Sequence, residues 1–147
     1  MFNNILVVCV GNICRSPTAE KLLQLYLPNK HVFSAGIANK KSGLTGKGIE
    51  ENALVLLQER EPNASTEHSA QQLSSELIRQ ADLILVMEQG HVTAVNQRYP
   101  QASGKTMLLG KWDNNAEVPD PYRKSQEAFD FAYQEIEKHC KAWSEKL

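Results

Sequence analysis

Four apolar residues, Ile5-Leu6-Val7-Val8, run straight into Cys9-Val10-Gly11-Asn12-Ile13-Cys14-Arg15-Ser16-Pro17, and a helix-type segment from Thr18 to Leu27 follows. A short run that is apolar at every position reads as a strand buried on both faces, the kind found in a parallel sheet covered by helices. A strand that gives way to a helix within a few residues aims its loop amides and the free N–H groups of the first helical turn at one small volume. That volume suits a tetrahedral oxyanion, and the same field favours negative charge on the Cys9 sulfur. Gly11 and Asn12 are residue types that accept positive φ, which a loop needs in order to turn its amides inward. Ser16-Pro17 reads as an N-cap followed by proline in the first helical turn. Arg15 can return across the loop and hold two phosphate oxygens in its planar fork. Alone, Cys9 would read as a buried structural thiol. In the company of strand, loop, arginine and helix it reads as a nucleophile that attacks phosphorus, with Val10 to Arg15 as the phosphate-binding loop. A zinc reading of Cys9 and Cys14 lacks a second pair of ligands, because Cys140 is the one cysteine left.

The rest of the chain alternates between the two periods. Strands are expected at Ile5–Cys9, His31–Ser34, Leu83–Met87 and Thr106–Leu109. Helices are expected at Thr18–Leu27, at Asn52–Glu61 with Leu54, Leu57 and Val55 turned inward, from Ser74, at Gly90–Arg98, and from Ser125 to the end. On the last helix Phe129, Tyr133, Ile136, Cys140 and Trp143 follow steps of three and four and form one apolar stripe. Ala35–Gly48 reads as an exposed loop and Trp112–Arg123 as a loop with two prolines. Strands separated by helices pair in parallel. The expected fold is therefore a three-layer α/β domain spanning residues 1–147, a four-stranded parallel sheet with helices on both faces. In such open sheets the ligand sits beyond the carboxyl ends of the strands, where Cys9 lies.

With 16 basic and 17 acidic residues the charge is nearly balanced, which gives no support to nucleic-acid or membrane-surface binding. No apolar run approaches the roughly 18–20 residues that span a bilayer, and the N-terminus has no export-signal pattern. Three cysteines without export signals fit a reducing cytoplasm.

Expelling an alkoxide or phenolate from phosphorus benefits from a proton donor on the leaving oxygen. Asp120, in Val118-Pro119-Asp120-Pro121-Tyr122, follows the fourth strand, and two flanking prolines stiffen its loop. By spacing it is equally a plain turn residue, and Asp113 is the nearest rival for the acid. Tyr122 and Ile13, with Leu44 as a third, are candidates for the apolar walls that would grip an aromatic ring.

Val7 to Glu20, with Ser34-Ala35-Gly36, Met87-Glu88 and Asp120-Pro121-Tyr122, resembles the low-molecular-weight protein tyrosine phosphatases along essentially the whole chain. Met1 to Glu20 looks most like the bacterial branch paired with the tyrosine kinases of capsule and exopolysaccharide export. The resemblance implies Cys9 as nucleophile, Arg15 as phosphate clamp and Asp120 as general acid, acting through a phosphocysteine intermediate without metal or cofactor. It further implies acid-phosphatase activity on aryl phosphates, inorganic phosphate as product and inhibitor, and a tyrosine-rich kinase tail as partner. Ser16 is implied to stabilise the thiolate, and Asn12 to hold the loop through a side-chain network supported by His68. Cys14 is implied to form a reversible disulfide with Cys9. Two departures stand out: Ala70-Gln71-Gln72 lacks the arginine that the family carries after the alanine, and Arg123 replaces a second tyrosine after Tyr122. Rival readings are a thiol-dependent arsenate reductase sharing this loop, a phosphotyrosine-binding module without turnover, and a phosphocarrier. The first needs relay cysteines near the cleft, which the stretch Leu83–His91 lacks.

Overall fold

A computed structural model describes residues 2–147. Strands β1 (Asn4–Cys9), β2 (His31–Gly36), β3 (Leu83–Val86) and β4 (Thr106–Leu108) form one parallel sheet in the order β2-β1-β3-β4. The chain moves outward to β2 on one side of β1 and to β3 and β4 on the other. The carboxyl ends of β1 and β3 thus flank the point where strand order reverses, which is where open α/β sheets bind ligands.

Helices α1 (Arg15–Tyr26), α2 (Glu51–Arg60) and α5 (Gln126–Lys146) cover one face of the sheet. Helices α3 (Ser75–Gln80) and α4 (Gln89–Arg98) cover the other. Alternation in β1 feeds both layers: Ile5 and Val7 pack with α1, α2 and α5, while Leu6 and Val8 pack with α3 and α4. All four side chains are fully buried, as the uninterrupted apolar run requires. The stripe Phe129, Tyr133, Ile136, Cys140 and Trp143 on α5 is buried as expected. Trp143 also donates its indole N–H to the Leu109 carbonyl, 2.8 Å away.

Three expectations need correction. On α2 the buried residues are Ala53, Leu56 and Leu57; Val55 points to solvent and Leu54 is half-buried. The helix meets α5 along a narrower stripe than the apolar content suggested, so one valine is left outside. Strand β2 continues through Ala35 and Gly36, because Cys9 pairs with Gly36 in the parallel ladder. Ser16 is not an N-cap. Helix α1 begins at Arg15 with Cys14 in the cap position, and the Ser16 side chain turns toward the Cys9 sulfur instead.

Candidate active site

The loop Val10–Cys14 joins β1 to α1 and closes around Cys9. Asn12 has φ of +63°, a left-handed conformation that reverses the chain and that asparagine tolerates better than most residues. Its N–H points at the Cys9 Sγ, 3.3 Å away, and the Ser16 hydroxyl lies 3.0 Å from the same sulfur. Gly11 leaves space for Leu44, whose Cδ1 would stand 2.9 Å from an added Cβ. Among the described residues, the main-chain N–H groups of Gly11, Ile13, Cys14 and Arg15 have no protein acceptor. Together with the start of α1 they form an oxyanion cradle.

The cradle is braced from behind. The fully buried Asn12 side chain donates to Ser16 Oγ (2.8 Å) and Ser34 Oγ (2.9 Å), and accepts from the Gln71 N–H (2.9 Å). Ser34 in turn donates to Glu20 Oε1 at 2.6 Å, and Glu20 pairs with Lys21 at 2.7 Å. His68 Nε2 lies 2.6 Å from the Asn12 carbonyl, so the expected histidine meets Asn12 at its backbone. Gln71, one of the departures noted in the sequence, supplies its bond to Asn12 through its backbone N–H. Its side chain reaches back to the Ser34 carbonyl at 3.0 Å. A third brace comes from buried Asn39, which donates to the Gly11 carbonyl (2.9 Å) and accepts from Thr45 (2.7 Å). Gly36 on β2 lies flat against the loop; an added Cβ there would come within 2.6 Å of the Val10 oxygen.

Arg15 is 2% exposed. Its Nη1 donates to Glu88 Oε2 at 2.5 Å and to the Val118 carbonyl at 2.8 Å, while Nη2 faces Asp120 Oδ2 at 3.9 Å. Two anchors on one nitrogen fix the fork and leave its other edge toward the cleft. Glu88 follows β3, the strand beside β1, and Val118 and Asp120 lie between β4 and α5, so the switch point gathers all three around one guanidinium. Asp120 is nearly half exposed, and one carboxylate oxygen accepts from the Tyr122 N–H at 3.0 Å. Asp113, the rival acid, is remote from this cluster and pairs instead with Lys138 at 2.8 Å.

The cleft holds about 230 Å³ and is lined by Cys9 to Arg15, Ser42, Leu44, Asp120, Tyr122 and Arg123. All three expected wall residues, Ile13, Leu44 and Tyr122, border it. Cys14 borders it too, and burial pushes its thiol well above the ordinary range. His91, beside Glu88 at 3.7 Å, is held below its ordinary value first by burial and then by the Arg15 charge. Ser34, Glu20 and Glu88 were not identifiable as site residues from spacing. Glu88 had two signals, its place directly after the second strong buried strand and, with Glu20 and Ser34, its place in the segments that carry the family resemblance.

Comparison with known proteins agrees with this geometry. The family described as low molecular weight phosphotyrosine protein phosphatase matches residues 4–147. The low molecular weight protein-tyrosine-phosphatase Wzb of Escherichia coli K12 is 48% identical over 147 residues, covering 100% of this chain and 97% of that one. The structure of Vibrio vulnificus Wzb in complex with benzylphosphonate superposes with a TM-score of 0.95 at 54% identity, over 100% of both chains. The YwlE arginine phosphatase of Geobacillus stearothermophilus is similar at a TM-score of 0.86 and 32% identity, over 97% of this chain and 91% of that one. This chain belongs to the low molecular weight phosphotyrosine protein phosphatases and is a protein-tyrosine phosphatase.

Proposed function

We propose that this phosphatase hydrolyses phosphotyrosine in two displacements through a phosphocysteine on Cys9. The observation that carries the reading is the convergence on one sulfur of the Asn12 N–H and the Ser16 hydroxyl, with Arg15 held across the cleft next to Asp120. The Cys9 thiolate attacks phosphorus while loop amides and the Arg15 fork meet charge spreading over the equatorial oxygens. Asp120, as the acid, protonates the departing tyrosine oxygen. The resulting carboxylate then takes a proton from water, which attacks phosphocysteine and frees inorganic phosphate. The released phosphate fits the same cradle and so inhibits.

The walls favour an aryl ester. Ile13, Leu44 and Tyr122 offer apolar surface to a phenyl ring, and the Vibrio relative was captured with benzylphosphonate, whose ring stands one carbon from phosphorus. Phosphoarginine, the substrate class named for the Geobacillus relative, would bring its guanidinium group to a mouth that already carries Arg123. The natural substrate we infer is a tyrosine-phosphorylated protein, the tyrosine-rich tail of an autophosphorylating bacterial kinase of polysaccharide export, met in the cytoplasm. No helix among the described residues is long and apolar enough to cross a membrane. A thiol relay of the arsenate-reductase kind is disfavoured because Cys140 is fully buried under α1, its Sγ 3.8 Å from the Ala19 carbonyl.

The test is hydrolysis of p-nitrophenyl phosphate with EDTA present, followed by acid quench with a radiolabelled aryl phosphate. The parent should turn over and carry label on cysteine. Cys9→Ser should lose at least about 10⁴-fold in kcat and carry no thiol-bound label. A parent that turns over without a labelled intermediate would sink the covalent route.

Cys14 is assigned the resolving role. Peroxide oxidises the Cys9 thiolate to a sulfenic acid, the Cys14 thiol attacks that sulfur with loss of water, and a dithiol reductant reopens the disulfide. Peroxide inactivation should be reversed by dithiothreitol in the parent and largely irreversible in Cys14→Ser; equal recovery of both would refute the role.

A further inference from the structure

The segment from Ile37 to Leu44 carries Lys40 and Lys41, and its composition suggested a solvated loop. Lys40 to Gly43 are exposed as that reading has it, and the backbone beneath them is tied down as a platform. The Ile37 N–H donates to the Cys9 carbonyl at 2.9 Å and the Ala38 N–H to the Val10 carbonyl at 3.0 Å, which ties the platform to the nucleophile loop. Gln72 clamps it from the other side, accepting from the Lys40 N–H and donating to the Ile37 carbonyl, both at 2.8 Å. Turn bonds from Ser42 to Ala38 (3.0 Å) and Leu44 to Asn39 (3.1 Å) close it over buried Asn39.

Two depressions share this platform. Ser42 and Leu44 line the phosphatase cleft, while Ile37, Ala38, Lys40 and Lys41 line a groove completed by Gln72 and by Arg98 from the end of α4. Among the described residues, none of Lys40, Lys41 and Arg98 has a carboxylate within salt-bridge distance. Three uncompensated cations around a partly apolar floor, one residue along the chain from the catalytic cleft, are an arrangement the hydrolytic chemistry does not require. It suits an anionic group presented by the same substrate that occupies the cleft.

Resting on the phosphotyrosine-protein reading above, we propose that Lys40, Lys41 and Arg98 form a second anion subsite that receives a phosphotyrosine flanking the one being hydrolysed. The dianionic phosphate matches three cations better than a single carboxylate does, and the Ile37–Ala38 floor offers apolar surface to its ring. An extended peptide rises about 3.3 Å per residue, so a phosphotyrosine two to four residues away lies roughly 7–13 Å along it. Lys41 of the groove adjoins Ser42 of the cleft in the chain, and the long stems of Lys40, Lys41 and Arg98 let their charged heads follow a phosphate on the neighbouring residue. The subsite therefore selects clustered phosphotyrosines and clears them in succession.

The test compares kcat/KM on three synthetic peptides of one sequence: phosphotyrosine with a plain tyrosine three residues away, with glutamate there, and with a second phosphotyrosine there. Parent enzyme and the triple variant Lys40→Ala/Lys41→Ala/Arg98→Ala are assayed, with p-nitrophenyl phosphate as the control that lacks any flanking group. The parent should prefer the doubly phosphorylated peptide by about tenfold over the singly phosphorylated one, since each exposed cation contributes a small increment. The triple variant should lose that preference while its p-nitrophenyl phosphate turnover stays within about twofold of the parent, which also certifies its fold. Equal kcat/KM for the two phosphopeptides in the parent, or a preference that survives in the variant, overturns the subsite alone. A glutamate peptide as good as the doubly phosphorylated one overturns its assignment to phosphotyrosine. A parent inactive on p-nitrophenyl phosphate overturns the phosphatase reading first and the subsite with it.

Discussion

The Cys9 loop and the Asp120 loop line one cleft and are built in opposite ways. Cys9, Asn12, Arg15 and Ser16 are all at most 3% exposed, and they are tied by hydrogen bonds among themselves and to Ser34 on β2, Glu88 beyond β3 and the segment around His68. Asp120 is nearly half exposed, and its loop is held by few bonds: Val118 to Met87 and to Arg15 at one end, a turn from Lys124 to Pro121 at the other, and the bond of Asp120 to Tyr122. The contrast suits the roles proposed for the two loops. Dipoles that stabilise spreading charge work best when fixed before the reaction, since any reorganisation subtracts from the stabilisation. A proton donor must instead reload from water in every turnover, which requires exposure. Substitutions in the first loop should therefore move stability and activity together, and those in the second should move activity alone.

Asp120→Asn tests the second half and has the largest expected effect. It should lower kcat on phosphotyrosine peptides by about 10²–10⁴-fold, the range for loss of a general acid, and by much less on aryl phosphates with good leaving groups. Its Tm should match the parent, because the position is nearly half exposed and asparagine keeps an acceptor for the Tyr122 N–H. A Tm drop in this variant would break the contrast. Asn12→Ala tests the first half. It removes the bonds to Ser16 and Ser34, leaves the Gln71 N–H without its acceptor, and places alanine at φ of +63°. Losses of about 2–5 kcal/mol in unfolding free energy and about tenfold to a hundredfold in kcat are expected, measured by denaturant melts and steady-state kinetics. Asn12→Gly sharpens the result, because glycine tolerates the backbone and loses the side-chain bonds only. Smaller again is Gly36→Ala, whose methyl would press on the Val10 oxygen and cost about 1–3 kcal/mol with a parallel fall in kcat.

The same difference decided what could be read from the sequence. The strand order, both helical layers and the α5 stripe follow from apolar periodicity, which records burial directly. Cys9, Gly11, Asn12 and Arg15 were legible because their spacing is local and the strand and helix on either side fix its meaning. Asp120 was ambiguous by spacing, since an aspartate between prolines is also an ordinary turn; only the fold brings it within 3.9 Å of Arg15. Glu88, Ser34 and Glu20 were not legible as a network because their partners lie 14 to 73 residues away in sequence. Ser16 was misread for a related reason. A serine before proline at a helix start satisfies local capping rules, and the long-range pull of the Cys9 sulfur and Asn12 amide outweighs them.

The smallest predicted effect concerns His91, which belongs to the rigid side of the cleft. Its Nδ1 is buried without a protein partner, and burial, reinforced by Arg15, holds it below its ordinary 6.5, against the opposing pull of Glu88, Asp120 and Glu117. His139, on α5, is lowered chiefly by burial. In both cases the unfolded chain takes up its proton first as pH falls. The stability each neutral ring contributes is thus complete above about pH 6.5 and is lost as acidification proceeds through and below that value. The unfolding free energy should fall between pH 7 and 5 with a slope of at most about 1.4 kcal/mol per pH unit for each histidine. His91→Gln should flatten the slope by one histidine's share, and His139→Gln by the other. Only His91→Gln should also change kcat/KM in that window, because a proton on His91 places a second cation beside Arg15, where it competes for Glu88 and loosens the anchor of the Arg15 guanidinium. Equal kinetic effects of the two variants would mean that the Glu88 anchor does not feel the charge on His91, and that the rigid side of the cleft is insulated from its own buried histidine.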